Sequence, residues 1–519
     1  MTTYARPGTF VTENFGPLTA GGPGIPGEAL PAFCGIFNRG PTVPTLISSW
    51  NQFVKLYGDF TQEPGNYLPF AVYQFFSNGG NSCFVLRLAN TDATAATLQL
   101  VDIASPTPDD VVVVNAQSTG VWGETIYVEV AYAGQTGRVN LNVYLNGTSP
   151  SQRVETFQDA SVNPTESRNL FSMVSSPISG SAYITLVPNP AFTEANYVAG
   201  TTDLALIGPT PLASGNDGTI APVVSTVAPP LFDTLINQAL YVNFPTLDDT
   251  VDIDALNSWA VGRQDTMIVI DGPAPDFPET EADVRGNYLS LAAALPPSTY
   301  LVIYAPWLLV VDPSSSISGA TRYLPPGGAM LAMWQQADTL WGTVQTPAGV
   351  DFTVKCVDLE ARFSNASLDA LNLGFVDPVK YIPGIGFAVF GGRTLHPGYP
   401  DRYVAVRRMI IKLEHDLKWL TQYAIFQPND AILWKSITVT IQNYLLQLMQ
   451  AGQLGGDTPA DSFSVICDDT INTPATSAAG IVNCNVAVSL LSPAEFIEIQ
   501  LSQFQQSGVQ ATTTTGVSS

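Results

Sequence analysis

Hydrophobic and polar positions change their period several times along this chain, and each change marks an element. Phe33 to Phe37 is a short apolar run of the kind a buried strand makes, and Leu46, Trp50, Phe53, Val54 and Tyr57 follow at helical spacing. Tyr67 to Phe76 reads as a second helix, ended by Ser77-Asn78-Gly79-Gly80, and Cys83 to Leu88 as another buried strand. From Thr91 to Pro211 the chain turns to Thr, Ser, Val and Asn. Strand runs at Val111–Val114, Ile126–Ala131, Val139–Leu145 and Tyr183–Val187 are separated there by turn clusters such as Asn146-Gly147. Strand and helix then alternate again: strand Met267–Ile270, helix Glu281–Leu295, strand Tyr300–Val311 interrupted by Pro306, helix Gly328–Ala337. The simplest parse is a mostly-β domain inserted into a central α/β domain.

The C-terminal region, opening at Asp377-Pro378, has its own grammar. Tyr403, Val406, Ile410, Leu413, Leu417 and Leu420 form one apolar stripe of a helix. At 100° per residue that stripe lies opposite Arg408, Lys412 and His415, which reads as a solvated basic face. Asn429 or Asp430 can cap a second helix carrying Leu433, Ile437, Ile441, Tyr444 and Leu448, ended by Ala451-Gly452. The period then falls to two. Val482, Cys484, Val486, Val488 and Leu490 alternate with small or polar residues, and beyond Pro493 so do Ile497, Ile499 and Leu501. Residues 1–31 hold Gly and Pro and one extended stretch, Thr9 to Thr12, and read as an arm. From Ser507 a Thr/Ser/Gly-rich tail is expected to be disordered.

At 519 residues the chain is expected to hold roughly two to four domains. Charged residues make up 12%, about half of what a soluble domain ordinarily carries, and a surface so poor in charge favours burial against further copies. The net charge of -24 repels phosphate backbones and argues against nucleic-acid binding. No Lys or Arg follows Lys435. Five scattered cysteines without a CxxC pair imply neither a zinc site nor a disulfide framework, and read as small buried hydrophobes. No secretory leader is legible, and no apolar run approaches the roughly 18 residues a bilayer demands, so a product made in the cytoplasm without membrane insertion is expected.

Catalytic constellations fail their context tests. The two histidines are His396, before Pro397-Gly398 and read as a turn residue, and His415; no GxSxG elbow or phosphate loop accompanies them. Gly22-Pro23-Gly24-Ile25-Pro26-Gly27 matches GxGxxG in letters, but its prolines remove donors and no strand precedes it. Asp468-Asp469 reads as a turn. No enzyme activity, cofactor or metal is expected.

A series of stretches in the C-terminal half carries a resemblance. Gly384-Ile385-Gly386 with Phe390-Gly391-Gly392-Arg393-Thr394-Leu395, Arg402 to Arg408, Phe426-Gln427-Pro428-Asn429-Asp430 with Leu433-Trp434, Gly452 to Gly456, Phe463 to Asp468 and Pro493-Ala494-Glu495-Phe496-Ile497 follow in order. They are similar to motifs of the contractile tail sheath proteins of phages, R-type pyocins and bacterial contractile injection systems. Tyr4 to Val11, Gly120 to Glu124, Ser214 to Gly218, Tyr304 to Trp307 and Thr346 to Gly349 are weaker echoes. Phe390, Gly392 and Gln427 depart from the usual Trp, Ala and Glu.

The resemblance implies a structural subunit polymerising as stacked hexameric rings around a tail tube and contracting to drive the tube through a target envelope. Its partners would be itself, the tube protein, and baseplate and tail terminator proteins, in a virion tail. A cell-encoded injection system is the alternative, with a static virion protein or a tail-borne polysaccharide-active enzyme as weaker ones. The expected fold is α/β multidomain: an arm at 1–31, a discontinuous central α/β domain at 32–92 and 214–345, an inserted β-rich domain at 93–213, a connector at 346–375, an α+β C-terminal polymerisation domain at 376–506 and a tail at 507–519. Extended N- and C-terminal arms, marked by Tyr4, Phe10 and Val11 and by Phe496, Ile497, Ile499 and Leu501, are expected to add strands to neighbours. Arg408, Lys412 and His415 are the expected tube-facing residues.

Overall fold

The computed structural model describes residues 29–60, 66–103, 110–163, 165–176, 179–189, 198, 203–236, 238–495, 502–504 and 510–512. They form two compact units, one from the described parts of Met1–Ala32, Tyr73–Asn81 and Ile236–Ser519, the other from Phe33–Val72 and Ser82–Leu235.

In the first unit the strands Leu240–Asn243, Thr266–Ile270, Leu301–Ala305 and Val376–Ile382 lie side by side and parallel. Helices Thr250–Arg263 and Glu281–Ala294 supply the first two crossovers, each started by a side-chain cap, Asp249 on Val251 and Thr280 on Asp283. The two middle strands are buried along their whole length, as parallel strands covered on both faces are. Beside their C-terminal ends begins helix Gly327–Trp341. The Gly327 N–H donates to Asp271 Oδ1 at 2.5 Å, and a Cβ on Gly327 would meet Asn243 Nδ2 at 2.2 Å. Burial pushes the Asp271 carboxyl up to about 6 against the pull of its donors.

Three expectations change here. The apolar run Tyr300–Val311 is not one strand: Leu301–Ala305 stays in the parallel sheet, while Leu308–Val311 pairs with Thr321–Leu324 and Asp358–Leu359 in a separate sheet. Pro306 has no N–H to continue the ladder, and the chain changes sheet at that point. Asp377-Pro378, read as the opening of the C-terminal domain, lies within Val376–Ile382 and extends the parallel sheet, with Gly386–Val389 folding back antiparallel on it. The stretch 346–375, read as a connector, contains helix Asn365–Leu373.

The second unit holds helix Trp50–Tyr57, capped by Ser49, and strand Thr45–Ile47 antiparallel to Cys83–Leu88. Its remainder is a β lobe. Ile126–Tyr132, Val139–Leu145, Arg153–Ala160 and Ile207–Pro211 make a four-stranded sheet, and Thr97–Val101, Asp110–Ala116 and Ile184–Pro188 a three-stranded one, around a shared core that includes Val112, Val128, Leu141, Leu170 and Ile184. The chain enters and leaves this lobe through a paired neck, with Thr94 N–H on Asn216 C=O at 2.9 Å and Thr97 N–H on Ala213 C=O at 2.8 Å. Buried Arg87 spans the same region, donating to the carbonyls of Asn38 at 3.1 Å and Thr119 at 2.9 Å.

The C-terminal core joins helices Val404–Leu420 and Ala431–Gln450 to strands Phe463–Ile466 and Asn485–Val488. Met409, Leu413, Leu433, Ile437, Ile441, Tyr444, Leu445 and Phe463 fill it. At the end of the chain, within the stretch from Ser507 read as a disordered tail, Gln510–Thr512 pairs antiparallel with Ser502–Phe504.

Candidate functional site

The C-terminal helix pair and its small sheet are where the motif residues gather. Helix Val404–Leu420 was expected to present Arg408, Lys412 and His415 to solvent. The structure overturns this for Arg408, which is 0% exposed. Its guanidinium donates to Asp338 Oδ1 at 2.5 Å and to the carbonyls of Gln345 and Trp334 at 3.0 and 3.2 Å, over the rings of Trp334 and Tyr241. Arg407 is buried as well, donating to the Tyr300 hydroxyl at 2.7 Å with its guanidinium 4.2 Å from that ring. Lys412 and His415 are half-buried around a second carboxylate, Asp416, at 3.2 and 3.3 Å; Asp416 also accepts from the Tyr444 hydroxyl. The polar face is thus an internal ion-pair seam. Periodicity marks which residues share a face, but a helix enclosed on two sides buries both faces.

The other motifs have equally local causes. Asp430 Oδ1 accepts from Ile432 N–H at 3.0 Å and Leu433 N–H at 2.9 Å, capping the second helix. Asn429 donates to Ile481 C=O at 3.0 Å and accepts from Trp434 Nε1 at 2.7 Å, tying the helix start to the loop before the last core strand. Gly391 crosses Asp377 so closely that a Cβ would lie 2.7 Å from its Cα, and at Gly392 a Cβ would meet the Thr346 methyl at 2.3 Å. His396 closes a turn, its Nδ1 accepting from Gly398 N–H at 3.1 Å, and Asp468 caps another through Thr470 N–H at 3.0 Å.

One constellation escaped the sequence reading. Arg393 holds Glu495 with two parallel bonds, Nε to Oε1 at 2.9 Å and Nη2 to Oε2 at 2.5 Å, while its Nη1 donates to Asn372 C=O at 2.9 Å. The Arg393 side chain is 6% exposed. The Arg393 N–H reaches Asp377, whose carboxyl is pushed well up by burial. This bidentate pair fixes the backbone immediately before Phe496. The signal was in the sequence, since Arg393 and Glu495 each sit in a motif, but nothing in the spacing joined residues so far apart.

The small sheet is the other notable feature. Phe463–Ile466 and Asn485–Val488 form a ladder of two strands among the described residues, backed by the helices on one face. Tyr4, Phe10, Val11, Phe496, Ile497, Ile499 and Leu501, the expected arm residues, lie outside the described residues. Among the described residues no helix is long and apolar enough to cross a membrane, and no cluster of metal-binding side chains occurs.

At the level of sequence, no family model and no curated protein matches. Solved structures do. A chain of an extracellular contractile injection system, the PVC sheath complex in its contracted state, is 18% identical and aligns over 98% of this chain and 99% of its own with a TM-score of 0.57. The helical sheath of the anti-feeding prophage, also contracted, is 18% identical over 97% of this chain and all of its own, TM-score 0.56. A sheath tail protein from Listeria innocua is 14% identical over 86% of this chain and 90% of its own, TM-score 0.59. The chain has the fold of the contractile tail sheath proteins.

Proposed function

We propose that this chain is the structural subunit of a contractile sheath, without enzymatic activity, that polymerises by exchanging strands between copies. The N-terminal arm around Tyr4, Phe10 and Val11 and the C-terminal arm at Phe496, Ile497, Ile499 and Leu501 add to the Phe463–Ile466/Asn485–Val488 sheet of neighbouring copies. The copies stack as rings of six around a tube and shorten to drive it forward. The observation that carries this reading is the small sheet: among the described residues its ladder holds two strands with a finished core behind it, which is the template for β-strand addition. Each donated strand brings main-chain bonds of roughly 1 kcal/mol net apiece. Each of Ile497, Ile499 and Leu501 adds roughly 1.5–3 kcal/mol when buried. The β lobe at 93–213 faces outward from the sheath and is dispensable to the mesh.

Attachment to the tube falls to exposed groups near the junction of the two C-terminal helices and not to Arg408. Trp419, Tyr423, Phe426 and Ile432 are exposed there, Phe426 at 88%. A cell-encoded injection system is the second reading beside a phage tail. It is supported by the likeness to the PVC sheath chain, which belongs to an extracellular contractile injection system.

Electron microscopy of the purified chain at high concentration tests the proposal. Hollow cylinders or ring stacks are expected without any added cofactor, whereas a uniform field of monomers contradicts it.

A further inference from the structure

Among the five cysteines, two are brought together by sheet register. Phe463 stands opposite Val488 and Ile466 opposite Asn485 in an antiparallel ladder. The Ser489 N–H donates to Ser462 C=O at 2.7 Å, which sets the phase. From that bond the ladder alternates, so that 464 and 466 are the hydrogen-bonded partners of 487 and 485 and the pairs between them are the narrow kind. One step past Ile466 and Asn485 the next narrow pair is Cys467 and Cys484. Both side chains share the inward face with Phe463, Val465, Val486 and Val488. The two thiols hydrogen-bond each other.

The surroundings hold this pair in place. Asn472, 2% exposed, donates to Cys467 Sγ at 3.9 Å and to Asn483 C=O at 2.9 Å, and accepts the Asn483 N–H at 2.6 Å. One side chain therefore fixes the Cys467 sulfur and the residue next to Cys484. The other cysteines have no such arrangement: Cys34 and Cys83 are buried and burial raises both thiols, and Cys356 is raised by burial with Asp358 nearby.

We propose that Cys467 and Cys484 are a cross-strand dithiol that closes to an intramolecular disulfide on meeting a small peroxide. Cys467 is the attacking sulfur. The Cys484 S–H and Asn472 Nδ2–H both donate to it and hold its thiol below the ordinary cysteine range, while Cys484 is held above. The Cys467 thiolate displaces hydroxide from hydrogen peroxide: the S–O bond forms, the O–O bond breaks, and the hydroxide leaves as water with the proton Cys467 had given up. Cys484 then attacks the sulfenic sulfur. The S–S bond forms, the S–O bond breaks, and the second hydroxide leaves as water with the Cys484 proton. Two thiols and one peroxide thus give one disulfide and two waters.

The bridge would close residues 467–484 and lock the sheet that the proposed function makes the acceptor of donated strands. The inference stands on register and hydrogen bonds and is independent of that function. Its test treats the 519-residue chain with hydrogen peroxide, blocks remaining thiols with an alkylating reagent under denaturing conditions, and maps peptides by mass spectrometry. The expected result is a Cys467–Cys484 cross-link lighter by two hydrogens and reversed by dithiothreitol, with Cys34, Cys83 and Cys356 still alkylated. Amide exchange at Ile466 and Asn485 is expected to slow by on the order of tenfold. In Cys484→Ser, Cys467 is expected to stop at the sulfenic acid, trapped by dimedone. Alkylation of both Cys467 and Cys484 after oxidation, or a disulfide joining either to a different cysteine or a second chain, would overturn the proposal.

Discussion

The Arg408 guanidinium has one counter-charge, two aromatic faces and two carbonyls around it and no path to solvent. Deleting either member of a buried pair leaves the other charged and unsolvated, which typically costs about 3–5 kcal/mol. Arg408→Ala and Asp338→Ala are each expected to destabilise the first unit by about that amount in urea titrations. The double variant should lose less than the two losses added; additive losses would refute the coupling. Charge reversal at Arg408 would set a carboxylate against Asp338, so it tests folding and not attachment to a tube. Glu360 offers a pH test. Burial, followed by the neighbouring Glu279 charge, raises its carboxyl from 4.5 to about 7 against the Trp307 N–H that donates to it. The folded chain therefore keeps a proton that the unfolded chain has released. Below about 4.5 both forms are protonated and Glu360 adds no pH dependence; from there up to about 7 its contribution lowers stability as pH rises. Glu360→Gln is expected to flatten the stability profile over that window, and an unchanged slope would rule out the assignment.

Among the elements, the Arg393–Glu495 clamp matters most, because it sets where the chain leaves the C-terminal core. Glu495→Gln is expected to keep the far-ultraviolet circular dichroism and thermal midpoint of the parent within a few degrees while reducing the fraction that sediments as polymer. A large drop in midpoint with unchanged polymer would assign the pair to stability alone. Much at this scale could be read from the sequence. The stripes through Leu413 and Ile437 and the cap at Asp430 gave the two C-terminal helices, and the apolar runs at Met267 and Leu301 gave the buried strands, because local periodicity and capping chemistry decide these. What escaped depends on chain segments distant in sequence. The burial of Arg408 follows from Asp338 and Trp334, the place of Asp377 from a strand at Leu301–Ala305, and the clamp from a glutamate at the far end of the core. The sheet change at Pro306 was marked by the proline, but where the second half would pair was not.

For the whole molecule, the account turns on the arms. A folded core whose small sheet holds two strands among the described residues, with aliphatic arms that alternate in sequence, should be a stable subunit whose polymerisation is lost when an arm is removed. The three aliphatic side chains of the C-terminal arm together outweigh exposed ion pairs, which contribute at most about 1 kcal/mol each. The most direct measurement is sedimentation of a chain ending at Ser492 beside the 519-residue chain, at equal concentration, with circular dichroism on both. The account predicts that the 519-residue chain pellets as sheath-like polymer while the truncated chain stays in the supernatant with a folded spectrum. A truncated chain that still polymerises would contradict it.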